Sequence, residues 1–374
     1  MNILICPDKF KDSLTAQQVS EALEKGIKKR RPKSIIQIMP LADGGEGTLE
    51  VIKTIHGGEW IQKKVHDPLF RPIEANYLWL ADQKIAYIEM SRASGIELLK
   101  TKERNPFLTS TFGTGELILD AMEKGAKEIV LTIGGSATND AGIGMAAALG
   151  FKFLAKEQKE LQAIGESLPL IDSIVSSPLL SKIAAIKFKV ITDVQNPLSG
   201  KQGAAHVFAK QKGANVEMIK YLDKGLINMQ KLFGQTEKGI IGEMKGAGAA
   251  GGLGAGAIYF LRAEISLGAE WLLNKIHFDR AVKKADYIIT GEGKIDGQTW
   301  GGKLISQVIA RCDKQFKQAI LVCGVFEDPE KLPIFFDSKE VYSVLSKAKN
   351  AKDSMENAAT YLESIGEEIA LKYL

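Results

Sequence analysis

The sequence predicts an α/β protein of two domains: a discontinuous domain made from both chain ends, with a second α/β domain inserted. Three observations carry this. Five times a hydrophobic, strand-like run ends in a loop crowded with glycine, hydroxyl and carboxylate side chains. Helical stripes alternate with such runs at both ends of the chain, while the texture changes between them. The length, 374 residues, also exceeds the ordinary size of one domain.

The first run, residues 2–7, leads into Asp8, Lys9, Lys11 and Ser13. Thr15-Ala16-Gln17-Gln18 then has a capping-box pattern, and Val19, Leu23 and Ile27 form a helical stripe. The second run, 35–40, leads into Asp43-Gly44-Gly45-Glu46-Gly47-Thr48, and Leu49, Ile52 and Ile55 mark the next inward helix face. Short strands over 60–66, 77–80 and 84–90, joined by turns at Asp67-Pro68 and Asp82-Gln83, read as antiparallel and place a domain boundary near 60–75. A helix opening at Gly113 or Thr114 and ended by Gly125 restores the α/β rhythm. The third run, 129–133, meets Gly134-Gly135-Ser136-Ala137-Thr138-Asn139-Asp140 and an Ala/Gly-rich helix over 140–149. Residues 151–185 have no clear pattern. The fourth run, 188–192, meets Asp193, Asn196, Ser199 and Gly200, and the fifth, 287–290, meets Gly291-Glu292-Gly293-Lys294-Ile295-Asp296-Gly297. A strand over 319–324 and a helix around 355–372 close the chain. The expected division is 1–70 plus 285–374 as a Rossmann/flavodoxin-like domain, with 71–284 inserted.

Composition narrows the function classes. A 45% hydrophobic and 25% charged chain has the makings of an ordinary soluble core. A net charge of +4, from 49 basic and 45 acidic side chains, is too balanced to imply nucleic acid. The basic run Lys25 to Arg31 ends an amphipathic helix, where cations suit the helix dipole, and reads as a solvated helix end. The three cysteines, Cys6, Cys312 and Cys323, sit in apolar contexts and read as buried free thiols of a reducing compartment. The four histidines have no ligand spacing, and there is no zinc pattern. The N-terminal apolar stretch is too short for a signal peptide, and no run approaches the roughly 18 apolar residues of a membrane span. The expectation is a cytoplasmic protein without membrane or nucleic-acid partners, monomeric or homodimeric.

In open parallel sheets, ligands bind outside the carboxyl ends of the strands. The loop at Gly134, Gly135, Ser136, Thr138 and Asn139 has a phosphate-binding character: glycines allow close backbone approach, hydroxyls donate, and the following helix offers free N–H groups. A tight turn with a helix cap is the alternative. The carboxylates Asp43 and Glu46, beside Gly44 and Gly45, would repel a bare phosphate; they suit Mg²⁺, substrate hydroxyls or a base. Asp193 and Asn196 are a second hard-oxygen pair. Glu292 and Asp296 bracket Lys294, which serves either a phosphate or a structural ion-pair turn. Asp8, Lys9, Lys11 and Ser13 open the first βα connection, and Arg92 could fork onto a carboxylate or be structural. No Gly-x-x-x-x-Gly-Lys-[Ser/Thr] occurs. Gly246-Ala247-Gly248-Ala249-Ala250-Gly251 spells a dinucleotide fingerprint, but Gly242-Glu243-Met244-Lys245 before it is no strand run, so close packing is the better account.

Seven motifs in order resemble the type-1 bacterial glycerate kinases. They begin at Pro7-Asp8-Lys9, Leu41-Ala42-Asp43, Thr111-Phe112-Gly113, Ile133-Gly134-Gly135, Thr192-Asp193-Val194, Gly246-Ala247-Gly248 and Thr290-Gly291-Glu292. The resemblance spans residues 1 to about 305, with a compatible tail. It implies two α/β domains around an interdomain cleft, dependence on ATP and Mg²⁺, and D-glycerate as the substrate. Its product is a phosphoglycerate, the 2-phosphate favoured over the 3-phosphate. Placed on the loops above, it makes Asp43, Asp193 and Lys9 the catalytic candidates, with Asp193 and Asn196 on Mg²⁺. Gly134, Gly135, Ser136, Thr138, Asn139, Glu292, Lys294 and Asp296 would hold ATP. Asp8, Lys11, Ser13, Gly44, Gly45, Glu46 and Arg92 would hold glycerate. The competing readings are a non-catalytic small-acid binding protein on the same fold and an NAD-dependent dehydrogenase resting on the 246–251 stretch.

Overall fold

The computed structural model describes residues 1–45, 47–297, 299–300, 304–327 and 341–374. Packing divides the chain into two units. The first comprises Met1–Asp43, Glu50–Ile55 and Gly268–Leu374; the second comprises Gly44–Leu49 and His56–Leu267. Among the described residues no helix is long and apolar enough to cross a membrane.

The first unit is built on a five-stranded, wholly parallel sheet in the order Val341–Ser343, Ala319–Phe326, Tyr287–Ile295, Asn2–Ile5, Ile35–Ile38. In chain order that is 5-4-3-1-2, the flavodoxin-like arrangement. Its switch point lies between Asn2–Ile5 and Tyr287–Ile295, from which successive connections leave in opposite directions. Alternating side chains send Ile3, Ile5, Ile289, Ile320 and Val322 to one face, against Val19, Leu23 and Ile27 of the helix Ala16–Arg30 and Leu362, Ile365 and Ile369 of Ala358–Lys372. Leu321 and Cys323 pack on the other face with Ile305 and Ile309 of Leu304–Asp313. The expected capping box is present: Thr15 Oγ1 accepts from Gln18 N (3.2 Å), and Gln18 Oε1 accepts from Thr15 N (2.9 Å). The basic end of that helix is not simply solvated. Lys25 pairs with Glu363 at 2.7 Å and Arg30 with Glu367 at 2.7 Å, and Lys29 pairs with both glutamates. All three cysteines are buried and free. Burial pushes the Cys312 and Cys323 thiols up to about 12, which makes them inert.

The second unit holds a six-stranded sheet in the order Glu264–Ser266, Lys187–Ile191, Glu128–Thr132, Ile85–Glu89, Pro72–Leu80, Glu59–His66. The first four strands run parallel, and Pro72–Leu80 runs antiparallel to both of its neighbours. An apolar core including Tyr77, Ile88, Leu117, Ile129, Phe153, Leu226 and Phe260 packs within this unit.

Two expectations need correcting. The first unit was expected to extend to residue 70 and to resume at 285. The strand Glu59–His66 pairs along its whole length with Pro72–Leu80, which draws it into the second sheet, and the helices Gly268–Lys275 and Phe278–Lys284 belong with the first unit. The fifth loop was expected to start at Gly291. Instead the strand continues to Ile295, because pairing with the apolar run Ala319–Phe326 persists from Gly291 opposite Val322 to Ile295 opposite Phe326.

Candidate active site

Two sets of groups stand at the carboxyl ends of the parallel strands, one in each unit. In the first unit, the loop after Asn2–Ile5 is tied to the neighbouring strand by a hydrogen bond from Asp8 N to Gly291 O (2.7 Å). This is the switch point of the sheet. The Asp8 carboxylate accepts from Lys9 N (2.6 Å), yet its pKa is pushed up to about 8, first by burial and then by the negative charges of Asp43 and Glu292. Sequence reasoning singled out all three carboxylates; the fold puts them in one electrostatic field. Glu292 accepts from Thr299 Oγ1 (2.7 Å), and that hydroxyl accepts from Asp296 N (3.1 Å). Thr299 thereby orients Glu292 through a turn that spacing alone does not specify. Lys294 pairs with Glu327 at 2.8 Å and Asp296 at 3.5 Å, the arrangement of an ion-pair turn. Ser13 faces elsewhere: its hydroxyl donates to Met355 O (2.8 Å), anchoring the loop to the helix Ala351–Glu356. Lys11 is exposed and Lys9 half-buried.

In the second unit, the loop after Glu128–Thr132 is pinned at its margins. Ile96 N donates to Gly135 O (2.9 Å), and Ala137 N donates to Ser94 O (2.9 Å). Among the described residues no hydrogen bond takes the N–H of Gly134, Gly135 or Ser136. These three consecutive donors form the anion-binding character of the loop. Gly135 needs its missing side chain, with φ at +72°, and a Cβ on Gly134 would stand 3.0 Å from the Gly45 Cα. The Gly44-Gly45 turn therefore lies directly against this loop. Glu46, beside it, falls outside the described residues.

The expectation that the following helix would lend its N-terminus to phosphate is not met. That helix spans Ile143–Ala148, and its leading amides are already occupied. Asp140 accepts from Gly142 N (3.1 Å), Gly144 N (3.2 Å), Thr111 N (2.7 Å) and Thr111 Oγ1 (2.7 Å), while Thr111 Oγ1 also accepts from Met145 N (2.8 Å). Asp140 thus joins the start of Ile143–Ala148 to that of Phe112–Glu123. Thr138 and Asn139 are wholly buried, and among the described residues neither side chain has a hydrogen-bond partner. They sit behind the loop rather than on its open side. The buried Lys212 is the residue that sequence reasoning missed. Its Nζ donates to Ser136 Oγ (2.7 Å) and Thr138 O (2.6 Å) from inside the core. Nothing in the surrounding Gln211-Lys212-Gly213 sets this lysine apart from its surface neighbours.

Arg92 is held on three sides. Its Nε donates to Glu89 (2.7 Å), one terminal nitrogen donates to Asn76 Oδ1 (2.5 Å), and the guanidinium lies 4.7 Å from the centre of the Trp60 ring. Glu89 in turn accepts from Leu49 N (3.2 Å). Asp193 is exposed after the strand Lys187–Ile191. Asn196 donates its amide N–H to Gln202 O (2.8 Å), which orients the amide and keeps its oxygen for another donor or a cation. Among the described residues no group of three or more His, Cys, Asp or Glu side chains could hold a metal. The 246–251 stretch has no strand before it: Ile241–Glu243 is a single 3₁₀ turn, and the stretch leads into the helix Ala249–Leu261. A Cβ on Gly251 would reach within 2.1 Å of Thr138 O, so the small residue there permits packing against the back of the Gly134–Asn139 loop.

The glycerate kinase family model matches residues 3–374. A glycerate kinase of Halalkalibacterium halodurans is 39% identical over 370 residues, covering 99% of this chain and 97% of that protein. A glycerate 2-kinase of Escherichia coli K12 is 37% identical over 358 residues, covering 96% and 94%. A crystal structure from Salmonella typhimurium LT2, described as a candidate glycerate kinase 2, superposes with a TM-score of 0.85 at 36% identity, covering 99% of this chain and 97% of that one.

Proposed function

The chain belongs to the glycerate kinase family, and from that premise we propose that it transfers the γ-phosphoryl group of ATP to D-glycerate. The observation that carries this reading is the family match along essentially the whole chain. The 2-hydroxyl is the proposed acceptor, supported by the name of the Escherichia coli relative.

Phosphoryl transfer asks the protein for positioning and charge neutralisation more than for covalent chemistry. The N–H groups of Gly134, Gly135 and Ser136 are the proposed cradle for the nucleotide phosphates, supported by their lack of internal acceptors. Asp193 and the Asn196 amide oxygen are the proposed Mg²⁺ donors. Two hard oxygens fit that ion, which takes one or two protein groups and completes its shell with phosphate and water. Bound there, Mg²⁺ would neutralise phosphate charge. In the first unit, the exposed Asp43 is the proposed acceptor of the proton from the attacking hydroxyl. Lys9 and Lys11 are the proposed contacts for the glycerate carboxylate. Arg92 supports the site indirectly, through Glu89 and Asn76. Glu292, Lys294 and Asp296 are the proposed nucleotide contacts of the first unit. The proposed compartment is the cytoplasm.

A coupled ADP-release assay tests the reading. D-glycerate with ATP and Mg²⁺ should release ADP, and phosphorus NMR should show 2-phosphoglycerate. Absence of ADP release across a panel of small hydroxy acids would favour a binding protein, and 3-phosphoglycerate as the product would correct the regiochemistry.

A further inference from the structure

Lys212 is 2% exposed, although lysine is among the side chains least often fully buried. The charged group that acts on it is Asp140, on the loop it supports; the backbone of Arg104 lies against the neighbouring Gly213. Asp140 is already engaged by four donors, so it does not serve as a dedicated partner. Two neutral oxygens are weak compensation for removing an ammonium from water, a step that costs several kcal/mol. A buried charge so poorly repaid, bonded to the loop that carries the three N–H donors, points to an electrostatic task at that loop.

We propose that Lys212 is a positioning residue for the loop of Gly134, Gly135 and Ser136. This rests on the reading of that loop as the cradle for nucleotide phosphates. By donating to Ser136 Oγ, the ammonium occupies a lone pair of that hydroxyl and leaves its O–H to donate outward. By donating to Thr138 O, it fixes the far side of the loop. It also places a positive charge behind the N–H groups without touching the ligand. Burial pushes the Lys212 ammonium down to about 7, so an anion settling on the loop would draw its proton back and make nucleotide binding proton-linked.

The test uses the full chain. In Lys212→Met, the KM for ATP should rise about tenfold or more while the KM for D-glycerate stays within about twofold, and Lys212→Arg should recover part of the loss. A folded Lys212→Met with an unchanged KM for ATP, or with both constants rising together, overturns the proposal. Because that variant removes a buried anchor and risks unfolding, a second measurement uses the unmodified protein. With ¹³C-labelled lysine, one ε-methylene should titrate near neutrality, and its midpoint should move up by about one pH unit when a non-hydrolysable ATP analogue and Mg²⁺ are added. A midpoint that stays put while the analogue binds overturns the role of Lys212. Failure of the analogue to bind at all, with no ADP release, overturns the kinase reading and the proposal together, and is thereby distinguishable.

Discussion

The carboxyl edge of the first unit's sheet is acidic, whereas that of the second is lined by backbone N–H groups with an ammonium held behind them. Both arise from the same βα architecture. In the first unit, burial first, and then the negative charges of Asp43 and Glu292, keep a proton on Asp8 into the neutral range. In the second, Gly134, Gly135 and Ser136 offer donors without side-chain charge, and Lys212 contributes from inside the core. The contrast teaches a division of labour. Carboxylates suit hydroxyl activation, and amides with a buried cation beside them suit phosphate.

The comparison breaks first at Asp193. Asp193→Asn should lower kcat by about a hundredfold or more with its unfolding transition unchanged, because the side chain is exposed; chelation of Mg²⁺ should abolish turnover reversibly. Near-normal turnover in that variant removes Asp193 from the catalytic set. The next effect is structural. Asp140→Ala strips four acceptor contacts from two helix starts and should cost about 3–5 kcal/mol in urea unfolding, whereas a loss below about 1 kcal/mol would return Asp140 to the list of candidate ligands.

The third prediction sets the two edges against each other by pH. Asp8 has a folded pKa of about 8 against an ordinary 3.8, so between those values the folded state binds more protons than the unfolded state. Its contribution to stability is present at low pH and is lost as pH rises towards about 8. Lys212 lies at about 7 against an ordinary 10.5, so there the unfolded state binds more protons, and its contribution improves as pH rises through that window. Each slope is at most about 1.4 kcal/mol per pH unit. Asp8→Asn should remove the falling slope and Lys212→Met the rising one, read from denaturant unfolding across pH. Slopes of the same sign would break the contrast. The smallest effect belongs to Ser13. Ser13→Ala should cost at most about 1 kcal/mol by releasing Met355 O and leave the KM for D-glycerate unchanged; a raised KM would restore Ser13 to the substrate site.

Much of this was legible from local pattern. The strand runs ending at Pro7, Ile133 and Thr192, and the capping box at Thr15, are short-range signals, and the fold places them as expected. What escaped depended on partners distant in the chain. Gly291 to Ile295 looked like a loop because glycine and charge alternate there; the neighbouring apolar strand, 31 residues on in register, holds it extended. Ser13 looked like a ligand because its partner lies 342 residues away. Asp140 sat in a phosphate-like motif, but Thr111 and the amides of Gly142 and Gly144 claim it. Lys212 was invisible because a lysine's burial is set by tertiary packing and not by its neighbours in sequence.

Hydrogen exchange on the full chain, with and without a non-hydrolysable ATP analogue and Mg²⁺, tests the central claim most directly. Protection should appear at residues 133–140, where among the described residues nothing accepts from the N–H of Gly134, Gly135 or Ser136. Protection confined to residues 7–13, with 133–140 exchanging as before, would contradict the assignment of phosphate recognition to the amide-lined edge.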